Sequence, residues 1–311
     1  MSEIKPLVAI HCLVYNHEPY LRECFEGFVM QQTNFPFVAI VHDDASTDGS
    51  VAIIREYEEK YPHIFKPIYE QENLYQKGGF GTINEVMNAA IDATCAKYVA
   101  ICEGDDYWTD PLKLQRQVNF MEEHEEVSLC FHKVIVLSDN NKVLNLYDDL
   151  IEKEYTAHEI YDKWTIPTNS VLYKRSQLIL PKMKYTIFGD IVLFLSLASV
   201  GKVFCMDFVG GVYRRISSGV TSTFSNNTYR LLYHQYDEMK DIFPFVQDIS
   251  IRRQCEFLSY VIHDVNCVET WKYRFLYMWK NKKLFFSSFF TTTILSYMLI
   301  PFVRKYIRKQ L

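Results

Sequence analysis

Three carboxylates stand together after an apolar run in the middle of the chain. Glu103, Asp105 and Asp106 follow Tyr98–Cys102, whose apolar and partly β-branched composition predicts a buried strand. Like charges this close repel one another and favour water or a cation. Carboxylate oxygens suit Mg²⁺ or Mn²⁺, which usually keep one or two protein carboxylates plus substrate phosphates. The cluster therefore predicts a divalent-metal site; the alternative is an acidic turn that caps a helix beginning near Pro111.

Two earlier apolar runs also end in polar residues. Leu7–Val14 is followed by Tyr15, and Phe37–Val41 is followed closely by Asp43 and Asp44. In a doubly wound sheet, the carboxyl ends of the strands lie along one edge, and ligands bind there. We therefore expect the three strand ends to line one crevice.

The elements that must position these residues alternate along the first half of the chain. Runs of strand length alternate with stretches of helical periodicity in the order β-α-β-α-β-α-β, which predicts an α/β fold with a mostly parallel sheet flanked by helices. After a short third strand, we expect a glycine-bearing loop over Asn73–Gly81 and then a helix over Thr82–Thr94. Further expected elements are strands over Val127–Leu137 and Val203–Tyr213, and a helix over Asp190–Ser199.

Composition narrows the class of protein. The 311 residues are 49% hydrophobic and 15% aromatic, which is typical of a folded chain with a sizeable core. A net charge of −5 gives no overall attraction to nucleic acid. Eight cysteines without a CxxC pair, together with an N-terminus lacking an apolar export segment, predict buried thiols in the cytoplasm. The absence of GxGxxG and GxxxxGK[ST] loops disfavours dinucleotide oxidoreductases and P-loop NTPases.

The C-terminal part differs from the rest. We expect a sheet domain over residues 1–225 and a helical extension over residues 226–311. Within the extension, Leu284–Val303 has no charged residue and is flanked by lysines and arginines. Basic flanks on both sides favour a segment that lies on the inner face of the cytoplasmic membrane. Spanning the bilayer or packing as a buried helix are the alternatives.

Three segments in this order resemble a known family. VAIHCLVYNHEPYLRECFEGFVMQQ, VHDDASTDGS and ICEGDDYWTDPLKLQ are similar to the family-2 glycosyltransferases of the GT-A fold, and most similar to bacterial members that build surface polysaccharides. The resemblance covers roughly the first two-thirds of the chain. It implies a nucleotide-sugar donor, expected to be a UDP-sugar, lying across the strand ends.

The resemblance also implies roles for individual donor-binding residues. Tyr15 would stack on the uracil ring, and Asp44 would accept its N3–H. Lys77 would meet the diphosphate. The alternatives are helix capping for Asp44 and a solvated loop lysine for Lys77.

The acidic cluster stands at the family's Asp-X-Asp motif, with Glu103 in place of the first Asp. Asp105 would contact ribose or the metal, Mn²⁺ or Mg²⁺, and Asp106 would share the metal site. Either Asp105 or Asp106 could be the direct ligand of the metal ion. Trp108 would form a wall of the sugar or acceptor pocket, or serve only as a core aromatic.

The family's general base corresponds here to Asp190, with Ile166–Ser170 as the acceptor loop. A partly shielded carboxylate can have the raised pKa that this role requires; the alternative for Asp190 is a helix N-cap. Many relatives follow the last strand with Tyr-Arg-x-His, whereas this chain has Tyr213-Arg214-Arg215-Ile216. Arg214 or Arg215 could replace the missing histidine contact to the donor phosphates.

These expectations describe an inverting glycosyltransferase acting on a glycan or a lipid-linked oligosaccharide. A non-catalytic, membrane-bound scaffold that binds nucleotide-sugar is the alternative from a different class. A sugar-nucleotide-forming nucleotidyltransferase is disfavoured, because its glycine-rich, Arg-bearing loop does not follow the first strand here.

Overall fold

The computed structural model describes residues 5–216 and 226–263. The chain divides into two compact units. The first comprises Met1–Lys182 and Phe188–Ser222, and the second comprises Met183–Ile187 and Thr223–Leu311.

The first unit begins with the expected alternation of strands and helices. Its elements are β1 (Val8–Val14), α1 (Glu18–Val29), β2 (Phe37–Asp43), α2 (Ser50–Lys60), β3 (Phe65–Tyr69), α3 (Leu74–Thr94), β4 (Tyr98–Ile101), β5 (Tyr107–Trp108) and α4 (Lys113–Glu123). The remaining strands and α-helices are β6 (Val127–Ser138), β7 (Val143–Leu144), β8 (Lys153–Tyr155), α5 (Ala157–Lys163), β9 (Leu172–Lys174), α6 (Gly189–Ala198) and β10 (Lys202–Arg215). Short 3-10 helices over Thr168–Ser170 and Arg175–Gln177 flank β9.

One sheet of ten strands organises this unit. The order is β3-β2-β1-β4-β9-β6-β10-β5, with β7 paired to β6 and β8 paired to β10. The β1–β2, β2–β3, β1–β4 and β6–β10 pairs are parallel. β9 lies antiparallel between β4 and β6. The parallel half is confirmed, whereas the second half of the sheet is mixed.

Burial explains why the central strands are continuous apolar runs. β1 and β4 lie inside the sheet, and their apolar side chains are buried. The buried face of α1 belongs to the same hydrophobic core as β1 and β4. In that core, the ring of Phe25 lies 4.8 Å from Phe65 of β3 and 5.1 Å from Tyr57 of α2. This aromatic cluster supports the strands whose ends carry the polar residues.

Helix α3 begins earlier than expected. The predicted loop over Asn73–Gly81 is wrong, because the Asn73 side chain accepts the Gln76 N–H at 2.7 Å and caps a helix that starts at Leu74. The helix is interrupted at Gly79, whose φ of 66° is the left-handed conformation that glycine adopts readily. Gly79 therefore kinks the helix rather than preventing it.

Strand β10 contains irregularities. Its pairing with β6 shifts register between Met206 and Val209, and again between Val209 and Gly211. Such bulges bend a strand and re-aim the side chains that follow. The end of β10 is consequently directed by the bulge as well as by the strand itself.

The second unit contains α7 (Asn226–Ile242) and α8 (Gln247–His263). The rings of Tyr236 and Phe257 stack 5.4 Å apart between the two helices. In the part of the chain that the structure describes, no helix is long and apolar enough to cross a bilayer. The segment Leu284–Val303 lies outside the described residues.

Candidate functional site

The turns after β1 and β2 are linked to each other. Asn16 and Ala45 both adopt positive φ, 55° and 59°. The Asn16 N–H donates to Ser46 Oγ at 2.9 Å, and the Thr47 N–H donates to Asn16 Oδ1 at 2.8 Å. We name these two hydrogen bonds the turn latch. Tyr15, which precedes it, is 40% exposed.

The turn after β4 packs closely on the end of β1. The Gly104 N–H donates to the Leu13 carbonyl at 2.9 Å. A Cβ on Gly104 would lie 2.8 Å from His17 Nδ1 and 3.0 Å from Val14 Cγ2. Only glycine permits this approach, which brings the acidic turn beside the first strand end.

Asp44 is buried and already accepts two hydrogen bonds. Its carboxylate oxygens accept the N–H groups of Leu74 at 2.6 Å and Tyr75 at 3.1 Å. The capping alternative is therefore observed, although with α3 rather than with the helix that directly follows Asp44. A carboxylate has about four lone-pair sites, so acceptor capacity for a ligand donor is left.

Lys77 lies within α3 rather than in a loop. Its side chain is 61% exposed, and its ammonium pairs with Glu72. The diphosphate contact stays a prediction.

The acidic cluster is confined and electrostatically strained. Asp106 is 2% exposed, and its Oδ1 accepts the Arg214 N–H at 2.6 Å. Burial, and then the charge of Asp105, raise the pKa of Asp106 well above its ordinary range. Burial also raises the pKa of Glu103 to about 8, with further contributions from Asp105 and Asp190. These four carboxylates therefore share one field.

Asp190 lies in the first turn of α6. The N-cap residue is Phe188, so Asp190 is not the N-cap, and its Oδ1 accepts the Ile191 N–H at 2.9 Å. Burial raises the pKa of Asp190 to about 6. The Asp190 carboxylate, with a pKa of about 6, thus lies close enough to Glu103 to influence its charge.

Two tyrosines that sequence reasoning missed complete the acidic side. The rings of Tyr147 and Tyr213 meet edge to face, with centroids 6.2 Å apart. Burial raises both pKa values, that of Tyr147 to about 12, and the charge of Asp106 contributes to both. Tyr213 ends the predicted last strand and could have been found, whereas Tyr147, with φ of 68°, lies in a segment without clear periodicity.

The Arg214 guanidinium is held by contacts within the protein. Its guanidinium donates to the Asp105 carbonyl at 2.7 Å, pairs with Glu23 and lies 4.4 Å from the Tyr107 ring centroid. Only 8% of its side chain is exposed. Of the two arginines proposed to replace the histidine, Arg215 is the exposed one.

Trp108 belongs to the core. It is 2% exposed, its indole N–H donates to the Asn169 carbonyl at 2.8 Å, and its ring lies 5.0 Å from Phe28. This burial corrects the expectation of a donor-binding role and supports the core alternative. The residue instead anchors the loop over 167–170.

The family model described as glycosyl transferase family 2 matches residues 10–178, more than half of the 311 residues. The chain belongs to glycosyltransferase family 2.

Relatives in sequence and structure agree with this assignment. An uncharacterized protein of Mycobacterium tuberculosis is 36% identical over 216 residues, which cover 68% of this chain and 60% of that protein. TarS of S. aureus in complex with UDP-GlcNAc superimposes with a TM-score of 0.61 at 18% identity, over 84% of this chain and 77% of that chain. The mannosyltransferase PcManGT from Pyrobaculum calidifontis, in complex with GDP-Man and Mn²⁺, gives 0.53 at 15% identity, over 96% and 87%. These structural likenesses confirm the GT-A fold.

The residues of this family-2 chain fit a divalent metal in one specific way. Among the described residues, no group of three or more His, Cys, Asp or Glu side chains is arranged to hold an ion alone. Asp105 and Asp106 nevertheless offer hard oxygens. Burial and then the charge of Asp105 raise the pKa of Asp106, and a cation would offset that neighbouring charge. The fit is therefore to an ion completed by substrate phosphates.

Proposed function

We propose that this chain is an inverting glycosyltransferase that moves a sugar from a UDP-sugar to a hydroxyl of a glycan or lipid-linked oligosaccharide. The observation that supports it most is the arrangement of one edge of the sheet. Tyr15 and Asp44 lie at the ends of two parallel strands, and an acidic cluster that includes Asp190 lies beyond the next strand. This arrangement suits a ligand with a base at one end and a reacting sugar at the other.

The reaction requires one displacement. The acceptor oxygen forms a bond to the anomeric carbon, the bond from that carbon to the diphosphate breaks, and UDP leaves with the electron pair. Asp190 takes the acceptor proton as general base. With a pKa near 6, the Asp190 carboxylate is ionised at neutral pH and still basic enough for this task.

Charge on the departing diphosphate needs compensation. Asp105 and Asp106 would hold Mn²⁺ or Mg²⁺, and such an ion supplies charge neutralisation at the leaving group. Arg215 is exposed after Arg214 on β10, and Lys77 is exposed on α3. These two side chains are our candidates for further phosphate contacts.

On the donor side, Tyr15 has the exposure needed to stack on uracil, and Asp44 retains acceptor capacity for the N3–H. The UDP-GlcNAc bound to TarS supports a UDP-sugar, and the transferred group would be a hexosyl or N-acetylhexosaminyl unit. A role in surface polysaccharide synthesis rests on the sequence resemblance. Association with the inner membrane face rests on the basic, apolar segment Leu284–Val303.

A non-catalytic nucleotide-sugar scaffold is the second candidate. Glu103 in the Asp-X-Asp motif and the missing histidine favour it. The raised pKa of Asp190 beside the cluster favours the enzyme.

The test is a set of calorimetric titrations with UDP, with and without Mn²⁺, followed by hydrolysis and transfer assays across a panel of nucleotide-sugars. We expect metal-dependent UDP binding and slow hydrolysis of one donor. Binding without any turnover would favour the scaffold, and no binding of any nucleotide would refute both.

A further inference from the structure

Three consecutive backbone carbonyls beside the site each accept a hydrogen bond from a buried side chain of one short segment. The segment covers residues 108–117, which follow the acidic cluster and enter α4. We name its three donors the side-chain bracket. The bonds are Trp108 Nε1 to the Asn169 carbonyl at 2.8 Å, Gln117 Nε2 to the Ser170 carbonyl at 2.9 Å and Lys113 Nζ to the Val171 carbonyl at 3.5 Å.

The bracket connects this turn to the acidic cluster. On its other side, the Asn169 amide donates to the Val212 carbonyl at 2.8 Å. Two residues further along β10, the Arg214 N–H donates to Asp106. The turn over 167–171 is thus held between the segment that follows Asp106 and the strand whose end binds Asp106.

Lys113 is an unexpected member of the bracket. It is fully buried, and its Nζ lies 3.9 Å from the Trp108 ring centroid. The groups that influence its charge are the thiols of Cys102 and Cys130, and no carboxylate pairs with it among the described residues. Burial lowers the pKa of Lys113 to about 7.

Such a lysine is expensive for the fold. A buried charge without a carboxylate partner costs free energy, and an apolar side chain of similar volume is often neutral or stabilising in such a place. Methionine would fill much of the same space. Stability alone therefore does not explain a lysine here.

We propose that Lys113 and Gln117 are positioning residues for sugar transfer. By holding the Ser170 and Val171 carbonyls, they fix the turn at the edge of the acidic cluster, where an acceptor hydroxyl must meet Asp190. Neither side chain touches substrate, because both are fully buried. The inference rests on the proposed function, with the turn as the acceptor loop.

The test compares Lys113→Met with a matched control, Lys174→Met. Lys174 is also a mostly buried lysine bonded to backbone carbonyls, those of His124 at 3.4 Å and Glu125 at 2.6 Å, at the end of β9 away from the turn. Measurements are the melting temperature, hydrogen exchange of the amides over 168–172, UDP affinity, and the ratio of transfer to donor hydrolysis.

For Lys113→Met we expect an equal or higher melting temperature, faster exchange over 168–172, unchanged UDP affinity and a transfer-to-hydrolysis ratio lowered about 10-fold. Lys113→Gln, which keeps an N–H donor, should recover part of that ratio. Lys174 differs from Lys113 because the carboxylates of Glu125 and Glu126 offset its charge, so Lys174→Met should melt earlier, with the ratio unchanged.

A normal ratio in Lys113→Met would overturn the inference. So would activity lost only in proportion to unfolded protein, since Lys113 would then be structural. If no variant binds UDP or hydrolyses a donor, the proposed function fails. Hydrogen exchange still tests whether the side-chain bracket holds the turn in that case. Unchanged exchange over 168–172 in Lys113→Met would refute it.

Discussion

The two sides of the crevice are built on opposite principles. On the donor side, the turns after β1 and β2 are joined by the turn latch, and the Asp44 carboxylate accepts two backbone N–H groups. On the acidic side, four carboxylates share a confined space, and at least three of them have raised pKa values. The hydrogen bonds of the donor side form without a ligand, whereas the acidic side crowds together carboxylates whose ionisation the surrounding protein disfavours.

The donor side thus contributes mainly fixed structure to the site, and the acidic side contributes mainly ionisable groups. Satisfied hydrogen bonds between the turns and to backbone N–H groups give the donor side a fixed form. Ionisation of crowded carboxylates lowers the stability of the fold, and binding of a cation with a phosphate restores that stability. Variants on the acidic side should therefore change activity far more than stability, and variants in the turn latch should do the reverse.

The largest effect is expected at Asp190. Asp190→Asn keeps an oxygen for the Ile191 N–H but cannot take a proton, so transfer should fall by at least ~10²-fold. Because the raised pKa means that ionisation of Asp190 disfavours the folded state at neutral pH, the melting temperature should be equal or slightly higher at pH 7. Transfer kinetics and melting curves measure both. Activity retained per folded molecule would exclude Asp190 as the base.

Asp106 comes next. Asp106→Asn keeps an acceptor for the Arg214 N–H, so the fold should survive. Losing a buried charge partner of the metal should weaken Mn²⁺-dependent UDP binding by at least about 30-fold. Calorimetry measures the affinity, and Mn²⁺ with UDP should raise the melting temperature of the wild type only. Asp110→Asn is an acidic control on the same segment, and an equal loss there would contradict the assignment.

The pH profile sharpens the acidic side further. Asp190 must be ionised to accept a proton, and its pKa is about 6. The kcat/KM for transfer should therefore fall about tenfold per pH unit below about pH 6. UDP affinity measured over the same range separates this loss from loss of donor binding. A profile that stays flat down to pH 5 would be inconsistent with the assignment.

Tyr15 tests the donor side. Tyr15→Ala removes an exposed ring, so stability should hold while UDP affinity falls about tenfold, as for other aromatic–base stacks. Tyr15→Phe should bind UDP as the wild type does. Equal affinity in the alanine variant would show that the ring does not stack on the base.

The smallest effect is expected in the turn latch. Ser46→Ala removes the acceptor of the Asn16 N–H and should cost about 1 kcal/mol of unfolding free energy. Denaturant titration measures it, with transfer per folded molecule nearly unchanged. A large loss of kcat with normal stability would contradict the assignment of the turn latch to stability rather than to activity.

Sequence alone could predict the parallel half of the fold because its central strands are apolar runs buried on both faces. β1, β2 and β4 appear where apolar runs predicted them. Strand β9 has only three residues, and its antiparallel place between β4 and β6 depends on long-range pairing that periodicity does not encode. The start of α3 was hidden because glycines at 78, 79 and 81 resembled a loop.

The candidate site divides in the same way. The positions of Asp190 and the acidic cluster in the fold were predictable because each stands at the start or end of a regular element, and their roles stay predictions. Tyr147 was not, since it lies in an irregular segment and reaches the cluster only through the tertiary fold. Trp108 was ambiguous because an aromatic next to a site and one beneath it have the same sequence pattern.

The register shifts of β10 also bear on how this chain can vary. Asp207, inside the shifted stretch, is skipped by the backbone register with β6, and its side chain, which pairs with Lys133, is 60% exposed. A residue inserted there can be accommodated locally. An insertion after Val212 would instead move Arg214 away from Asp106. Insertions and deletions should therefore be tolerated at the bulge but not a few residues later. The first part of the strand can vary in length without moving Arg214 away from Asp106.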